Sequence, residues 1–440
     1  MRQKIVRLAT LPFESFDFGA LRRRREPLAR LCQLFLDGKG EAAAMVIGQE
    51  IIERFESAEP EEQRAFFEFL LDEYGYRFES IDAAIEDYLA SPGQAVARKL
   101  ASSLKTTRRS FFQALNAVPG GTRAIVNMRA TLARFFADDP ELELVDKDIA
   151  ILLENWFNRG FLELREINWE TPAFILEKLI AYEAVHEIDG WNDLRRRLAH
   201  DRRCFAFFHP AMPDEPLIFV EVALLNEMAS SVQALLGQSV PEETDDFQPS
   251  TAIFYSISNC QAGLRGITFG NFLIKQVVEE LGASMPHIKQ YATLSPVPGF
   301  YKWLQRALAK REVSWLEEQD YETINSLLSQ GDWHEHEPTC ATLEPLLKKL
   351  ASYYFLHVKH ARSYKPFDPV ARFHLGNGAR LERINFLGDT SEKGLKESCG
   401  LLVNYLYEEK SLASNHEAYA NNDEIKCSND VLQPIKKFTA

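Results

Sequence analysis

Two short segments carry the side chains best suited to chemistry: Leu294-Ser295-Pro296-Val297-Pro298-Gly299-Phe300 and Phe373-His374-Leu375-Gly376-Asn377-Gly378-Ala379. Ser295 ends a short apolar run and precedes a rigid turn. A serine in that place ordinarily only shapes the turn, because its hydroxyl bonds nearby backbone. His374 is the other candidate, weighed on its own surroundings. A lone histidine between Phe373 and Leu375 also suits a core, yet Gly376 and Gly378 beside it bring backbone close to something. No GxSxG elbow occurs, which argues against an α/β-hydrolase nucleophile. The other histidines are weaker candidates. His334 and His336 alternate with Glu335 and Glu337 in a charged stretch that suits a surface. His357 and His360 stand three apart with no third ligand in view, and His209-Pro210 suits a turn. No metal is expected.

A third segment, Thr251 to Phe300, reads as the frame for these groups. Ala252, Phe254 and Ser256 alternate with Ile253, Tyr255 and Ile257, which predicts a strand. A polar turn with Gly263, Gly266 and Gly270 follows. Phe269, Phe272, Leu273, Val277 and Leu281 then recur at helical spacing, so a helix is expected over Gly266 to Leu281 with Gly282 as its C-cap. Strand, glycine turn and helix N-terminus together can hold a phosphate, since unpaired N–H groups point at the ligand. Neither GxGxxG nor GxxxxGK[ST] is present. What remains, Gln261-Ala262-Gly263-Leu264-Arg265-Gly266, resembles the pyrophosphate loop of acetyltransferase-type (GNAT) folds, which cradle coenzyme A. The plain alternative is a tight βα turn that holds nothing. The candidate coenzyme A contacts are Ser258, Gln261, Gly263, Leu264, Arg265, Gly266 and Thr268.

The elements that must position these groups fall into two halves. At 440 residues the chain is long for one core and suggests two domains. Residues 1 to about 28 lack periodicity and read as a loosely docked arm. From there to about 157 the pattern is helical and punctuated: Leu28 to Leu36, Glu41 to Ser57, then a start at Pro60 with Glu61 and Glu62 near the positive dipole end. Breaks fall at Ser91-Pro92-Gly93, Pro119-Gly120-Gly121 and Asp139-Pro140, and Trp156-Phe157 closes the last helix. The remainder is mixed. Strands are expected at Cys204 to Phe208, Leu217 to Ala223, Ala252 to Ile257, Tyr291 to Leu294 and Leu381 to Leu387. Helices are expected at Pro172 to Val185, Gly266 to Leu281 and Thr342 to Tyr354, and a polar loop over Glu408 to Asp430 before a terminal helix. The net charge of −14 argues against nucleic acid or an anionic membrane as partner. The Arg22 to Arg25 run is more suited to a solvated surface than to a site. Six scattered cysteines without a CxxC pair fit a reducing compartment, and no apolar run is long enough to span a bilayer, so a soluble cytoplasmic protein is expected.

A set of segments in order resembles the malonyl-CoA decarboxylase family. They are the helical first half, Glu183 to His186, Arg203 to Phe205, Glu215 to Leu217, Thr251 to Ile257, Asn271 to Lys275, Leu294 to Phe300, Asp368 to Val370, Phe373 to Ala379, Arg383 to Asn385, Ser398 to Gly400 and Asn404-Tyr405. The resemblance implies an α+β protein. An N-terminal all-α helical bundle, residues 1–158, would serve oligomerisation, followed by a GNAT-like mixed α/β catalytic domain, residues 159–440. It implies a carboxy-lyase that converts malonyl-CoA to acetyl-CoA and CO2 through an enolate without a cofactor, and a homo-oligomer, dimer or tetramer. It puts the catalytic pair on Ser295 and His374, with Tyr407 lining the site. Thr268 stands where the human-type enzyme carries an acid. Two other functions keep the same fold in play. An acyl-CoA N-acyltransferase would need an amine acceptor, and a non-catalytic acyl-CoA-binding protein would show no turnover.

Overall fold

The computed structural model describes residues 27–37, 40–240, 247–267, 273–360 and 364–438. These form two compact units. The first comprises Met1–Leu162 with His209–Pro213 and Gln261–Thr268, and the second comprises Glu163–Phe208, Asp214–Cys260 and Phe269–Ala440. The arm expected at the start of the chain and the Arg22 to Arg25 run lie outside the described residues.

The first unit is helical: α1 (Leu28–Asp37), α2 (Glu41–Ser57), α3 (Pro60–Glu73), α4 (Phe78–Ala90), α5 (Gln94–Ser103), α6 (Thr107–Asn116), α7 (Gly121–Leu132) and α8 (Glu143–Trp156). The local signals account for its starts. Pro60 occupies the first turn of α3 with Glu61 and Glu62 beside it. Ile47, Ile51, Ile52 and Phe55 of α2 recur at helical spacing and are buried. Phe55, Phe66, Phe67 and Phe111 meet edge to face or tilted at the centre, with Phe55 and Phe66 5.1 Å apart. Asp148 of α8 is buried but fully answered: Arg108 Nε, Arg109 Nε and Thr106 Oγ1 all donate to it, at 2.9, 2.7 and 2.8 Å. The Ala262–Leu264 turn closes this unit against α7. A Cβ on Gly263 would lie 1.8 Å from the Val126 carbonyl oxygen, so only glycine permits that approach.

The second unit is built on an eight-stranded sheet: β1 (Glu163–Ile167), β2 (Arg202–Phe208), β3 (Ile218–Leu225), β4 (Thr251–Asn259), β5 (Gln290–Thr293), β6 (Ser295–Pro296), β7 (Arg380–Asn385) and β8 (Leu402–Tyr407). The order is β1-β2-β3-β4-β5-β8-β6, with β7 on the other edge of β8. All pairs are antiparallel except β4 with β5. A parallel pair needs a crossover, which α9 (Leu273–Ser284) supplies. This antiparallel meander runs into one parallel pair, with the glycine turn and a helix between, so the unit is the mixed α/β half of the α+β chain that was expected. Its parallel pairing stops at Phe254 and Thr293, while β4 runs on to Asn259. The chain beyond Thr293 leaves β4, and β6 pairs with β8 instead, Ser295 facing Val403. The sheet therefore splays between β4 and β6, where Ser295 lies.

The five expected strands are present with shifted ends, and three expectations are corrected. Strands β1 and β8 were not anticipated; every residue of β8 is buried, so it shows no alternation to read. Gly282 lies inside α9, not at its cap, and Ile267 and Gly266 precede the helix, Gly266 with φ +80°. The polar stretch after Tyr407 forms a helix over Glu409–Asn422. Its inward face is made by Asn415 and Tyr419 and not by aliphatic residues, which hides its period. Among the described residues no helix is long and apolar enough to cross a membrane.

Candidate active site

Thr293 and Ser295 stand two apart where β5 gives way to β6, so their side chains share a face. The two hydroxyl oxygens are 2.8 Å apart. The facing histidine comes from α10 (Pro369–Gly376), whose start is fixed by sequence: Asp368 caps it, its Oδ1 accepting from Ala371 N at 2.9 Å, and Pro369 fills the first turn. His374 in the last turn brings Nε2 to 3.1 Å from Ser295 Oγ, and its Nδ1 lies 2.8 Å from the Tyr407 hydroxyl at the end of β8. Tyr405, two residues earlier on the same strand face, stacks on the imidazole with centroids 4.5 Å apart and planes at 23°. Sequence reasoning named Ser295, His374 and Tyr407, and the fold brings these three side chains into one continuous chain.

Burial sets the protonation of this chain. His374 is 2% exposed, and desolvation alone pushes its pKa down to about 3, so the imidazole is neutral at ordinary pH. Desolvation raises the Tyr407 phenol well above its usual value, so it keeps its proton. A phenol donating to Nδ1 leaves the proton on Nε2, aimed at Ser295 Oγ, and Ser295 in turn donates to Thr293. The reverse sense, Thr293 to Ser295 to Nε2 and Nδ1–H to Tyr407, is closed by the same distances. Either way the chain is a run of hydrogen bonds between neutral groups.

Ser295 and His374 open on a cavity of about 290 Å³ walled mainly by Val185, Ile218, Phe254 and Phe373. Larger cavities occur, one of about 880 Å³ around Tyr301, Lys302 and Lys393, but no histidine lines it. Ser256 also lines this cavity, and its Oγ sits 2.8 Å from both oxygens of Glu183, a carboxylate that also accepts from Val185 N and His186 N. Asp368 does more than cap α10: Val370 N and Gly299 N also bond it, tying the turn after Ser295 to the helix that carries His374.

The expected coenzyme A contacts are placed differently from one another. Ser258 is buried, and its hydroxyl accepts from Ala184 N at 3.3 Å. Gly263 and Leu264 are buried in the first unit, where Arg129 Nη1 donates to the carbonyls of Gly263 and Arg265 at 2.8 and 2.9 Å and Nε meets Asp146 Oδ1 at 2.7 Å. The close approach at Gly263 is to α7, which explains that glycine without a ligand. Gln261 is half-buried and precedes the turn; Arg265 and Gly266 are exposed, and nothing lies within 4 Å of a Cβ placed on Gly266. Thr268 lies outside the described residues. The glycines near His374 also have a packing explanation, since a Cβ on Gly378 would meet the Leu412 carbonyl oxygen at 2.2 Å. His336 pairs with Asp332 at 3.1 Å on the surface, and among the described residues no group of three or more His, Cys, Asp or Glu is arranged to hold a metal.

Sequence reasoning assigned no role to Thr293, Asp368, Glu183 or Tyr405. Two had a readable signal. Asp368-Pro369 is a helix-start pattern, and Thr293 precedes Ser295 by two in a strand. Glu183 and Tyr405 are recognisable only from contacts far along the chain.

Comparison with known proteins adds an independent line. The malonyl-CoA decarboxylase C-terminal domain model matches residues 160–440, and the malonyl-CoA decarboxylase N-terminal domain model matches residues 74–157. The mitochondrial malonyl-CoA decarboxylase of the goose Anser anser anser is 40% identical over 352 residues, 75% of this chain and 69% of that protein. The Rattus norvegicus protein of the same name is 35% identical over 362 residues, 77% of this chain and 73% of its own. The crystal structure of malonyl-CoA decarboxylase from Rhodopseudomonas palustris aligns with TM-score 0.88 at 43% identity, covering 92% of this chain and 98% of that one. Both halves of the chain, the order of its segments and the fold of the site-bearing unit lead to the same place: the chain belongs to the malonyl-CoA decarboxylase family.

Proposed function

We propose that this chain converts malonyl-CoA to acetyl-CoA and CO2, with Ser295 and His374 as the reacting pair and Tyr407 behind them. The observation that carries the reading is the unbroken Tyr407–His374–Ser295 chain opening into an apolar cavity where β4 and β6 part. In the reaction, the bond between C2 and the carboxylate carbon breaks. Its electron pair moves into the thioester carbonyl, leaving an enolate and free CO2, and C2 then takes one proton. Apolar walls favour this direction, because they solvate a carboxylate poorly and CO2 well. Ser295 hydrogen-bonds the malonyl carboxylate or the enolate, with His374 on the proton; the same contact between them also allows the two roles exchanged. His374, as a neutral Nε2–H donor, supplies or relays to C2 one proton that solvent replaces on the imidazole, so the net step takes up one H+ as CO2 leaves, while Tyr407 holds Nδ1 and keeps its own proton. Stacking on Tyr405 fixes the imidazole plane throughout.

The Gln261 to Gly266 turn holds the pyrophosphate of coenzyme A in this reading. The open space beyond Gly266, its left-handed backbone and the exposed Arg265 side chain support that assignment. The protein works as a homo-oligomer, dimer or tetramer, in the cytoplasm. Six free thiols suit a reducing compartment, and the assembly is carried over from the resemblance alone.

The test is incubation of purified protein with malonyl-CoA and no acyl acceptor, following acetyl-CoA and CO2 together. Equal amounts of the two support decarboxylation. Acyl transfer only when an amine is added would instead indicate an N-acyltransferase on the same sheet, and binding without turnover an acyl-CoA-binding protein.

A further inference from the structure

The β5–β6 junction is not a regular ladder, and its irregularity is made by side chains. The hydroxyl Oγ1 of Thr293 accepts the Tyr405 backbone N–H at 3.1 Å. The Thr293 carbonyl is taken at 2.6 Å by the side-chain amide of Asn404. Asn404 is fully buried and fully used: its Nδ2 also reaches the Ala229 carbonyl at 3.0 Å, and its Oδ1 accepts from Arg383 Nε at 3.0 Å and Asn385 Nδ2 at 2.8 Å. Thr293 is thereby locked from two sides, with 0% of its surface exposed. A hydroxyl oxygen offers one proton and two acceptor positions. Tyr405 N–H occupies one acceptor, and the rest of the capacity faces Ser295 Oγ at 2.8 Å.

We propose that Thr293 is a positioning residue of the reaction, holding the Ser295 hydroxyl on the line between its own Oγ1 and His374 Nε2. Ser295 then has a fixed partner on each side, and a single proton shift along the line changes which partner it donates to. Without Thr293 the Ser295 hydroxyl has only His374 to orient it. Thr293 touches no substrate in this account; it acts through Ser295. The inference rests on the decarboxylase reading above.

The experiment compares wild type, Thr293→Val and Thr293→Ser in the malonyl-CoA assay, with kcat and KM resolved and thermal unfolding followed on the same samples. Valine keeps the branched shape and removes the hydroxyl; serine keeps the hydroxyl and removes the methyl. The expected result is a kcat lower by about tenfold or more in Thr293→Val with KM within about twofold, and recovery of at least half the wild-type kcat in Thr293→Ser. A role in packing alone predicts the opposite order, because serine leaves a methyl-sized gap and valine does not, and a role confined to holding the Tyr405 N–H predicts a lower thermal midpoint in Thr293→Val with kcat kept. Wild-type kcat in Thr293→Val, or Thr293→Ser no better than valine, overturns the inference. Should Thr293→Val fail to fold, Thr293→Ala against Thr293→Ser gives the same contrast. Absence of decarboxylation by wild type is a separate outcome, which removes the underlying reading rather than the role of Thr293 alone.

Discussion

At the scale of single residues, the arrangement is a neutral relay rather than a charged dyad. His374 is buried so deeply that its protonation falls to about pH 3, and among the described residues no carboxylate touches it to reverse that shift. Replacement by Asn should therefore lower kcat by about a hundredfold or more while leaving acetyl-CoA affinity nearly unchanged. Near-normal turnover would remove His374 from the chemistry. The pKa also makes a stability statement. Unfolded histidine takes a proton below about pH 6.5 and the folded one does not until about pH 3, so the unfolded state binds more protons in between. Stability from this group is complete above about pH 6.5 and declines as the pH falls, by about 2 kcal/mol at pH 5. Asp368, pushed up to about 6 by burial, acts in the opposite sense over part of that window, so the comparison must be between proteins rather than between pH values alone. The fall in thermal midpoint from pH 7 to pH 5 should be smaller in His374→Asn than in wild type. An equal fall in both would contradict a histidine kept neutral by burial.

At the scale of elements, the site is set by how two short segments are pinned to each other. Asp368 accepts from Ala371, Val370 and Gly299, so one carboxylate fixes the start of α10 and the turn that follows Ser295. Replacing it with Ala removes a cap worth about 1 kcal/mol and strands buried N–H groups at about 1–3 kcal/mol more. Asp368→Ala should lower the thermal midpoint by several degrees and kcat by about tenfold, with Asp368→Asn between it and wild type. Unaltered kcat in Asp368→Ala would show that the turn and α10 hold their spacing without this link. The same elements show what the sequence discloses. α2 and the start of α3 are legible because their signals are local: apolar spacing, a proline and two acids within one turn. Ser295 and His374 are legible as residue types, but their pairing comes from the resemblance, since the span between them carries no mark of contact. β8 is illegible because both its faces are covered, and with it went Tyr405 and Asn404 as working residues. Gly263 was readable as special, though for a different reason: its neighbour is the backbone of α7, far back along the chain.

At the scale of the whole molecule, the chain does not divide at a single point. The helical unit also claims His209–Pro213 and Gln261–Thr268, and within it Arg129 and Val126 hold the turn proposed to bind coenzyme A. A fragment of residues 159–440 keeps Ser295, His374 and Tyr407 but loses Arg129 and α7. It should show a KM for malonyl-CoA raised about tenfold or more, or should aggregate through the surface uncovered around Leu264. A soluble fragment with wild-type KM would mean that the turn needs no support from the helices.

The most direct measurement sets Ser295→Ala beside wild type, with malonyl-CoA decarboxylation and thermal unfolding read on the same preparations. The account predicts that wild type yields acetyl-CoA and CO2 one for one. It predicts that Ser295→Ala turns over about a hundredfold or more slowly, a loss of about 3 kcal/mol of transition-state stabilisation, while unfolding within a few degrees of wild type. No acetyl-CoA from wild type, or a Ser295→Ala protein that keeps its rate and loses only stability, would contradict it and return Ser295 to the role of a turn former.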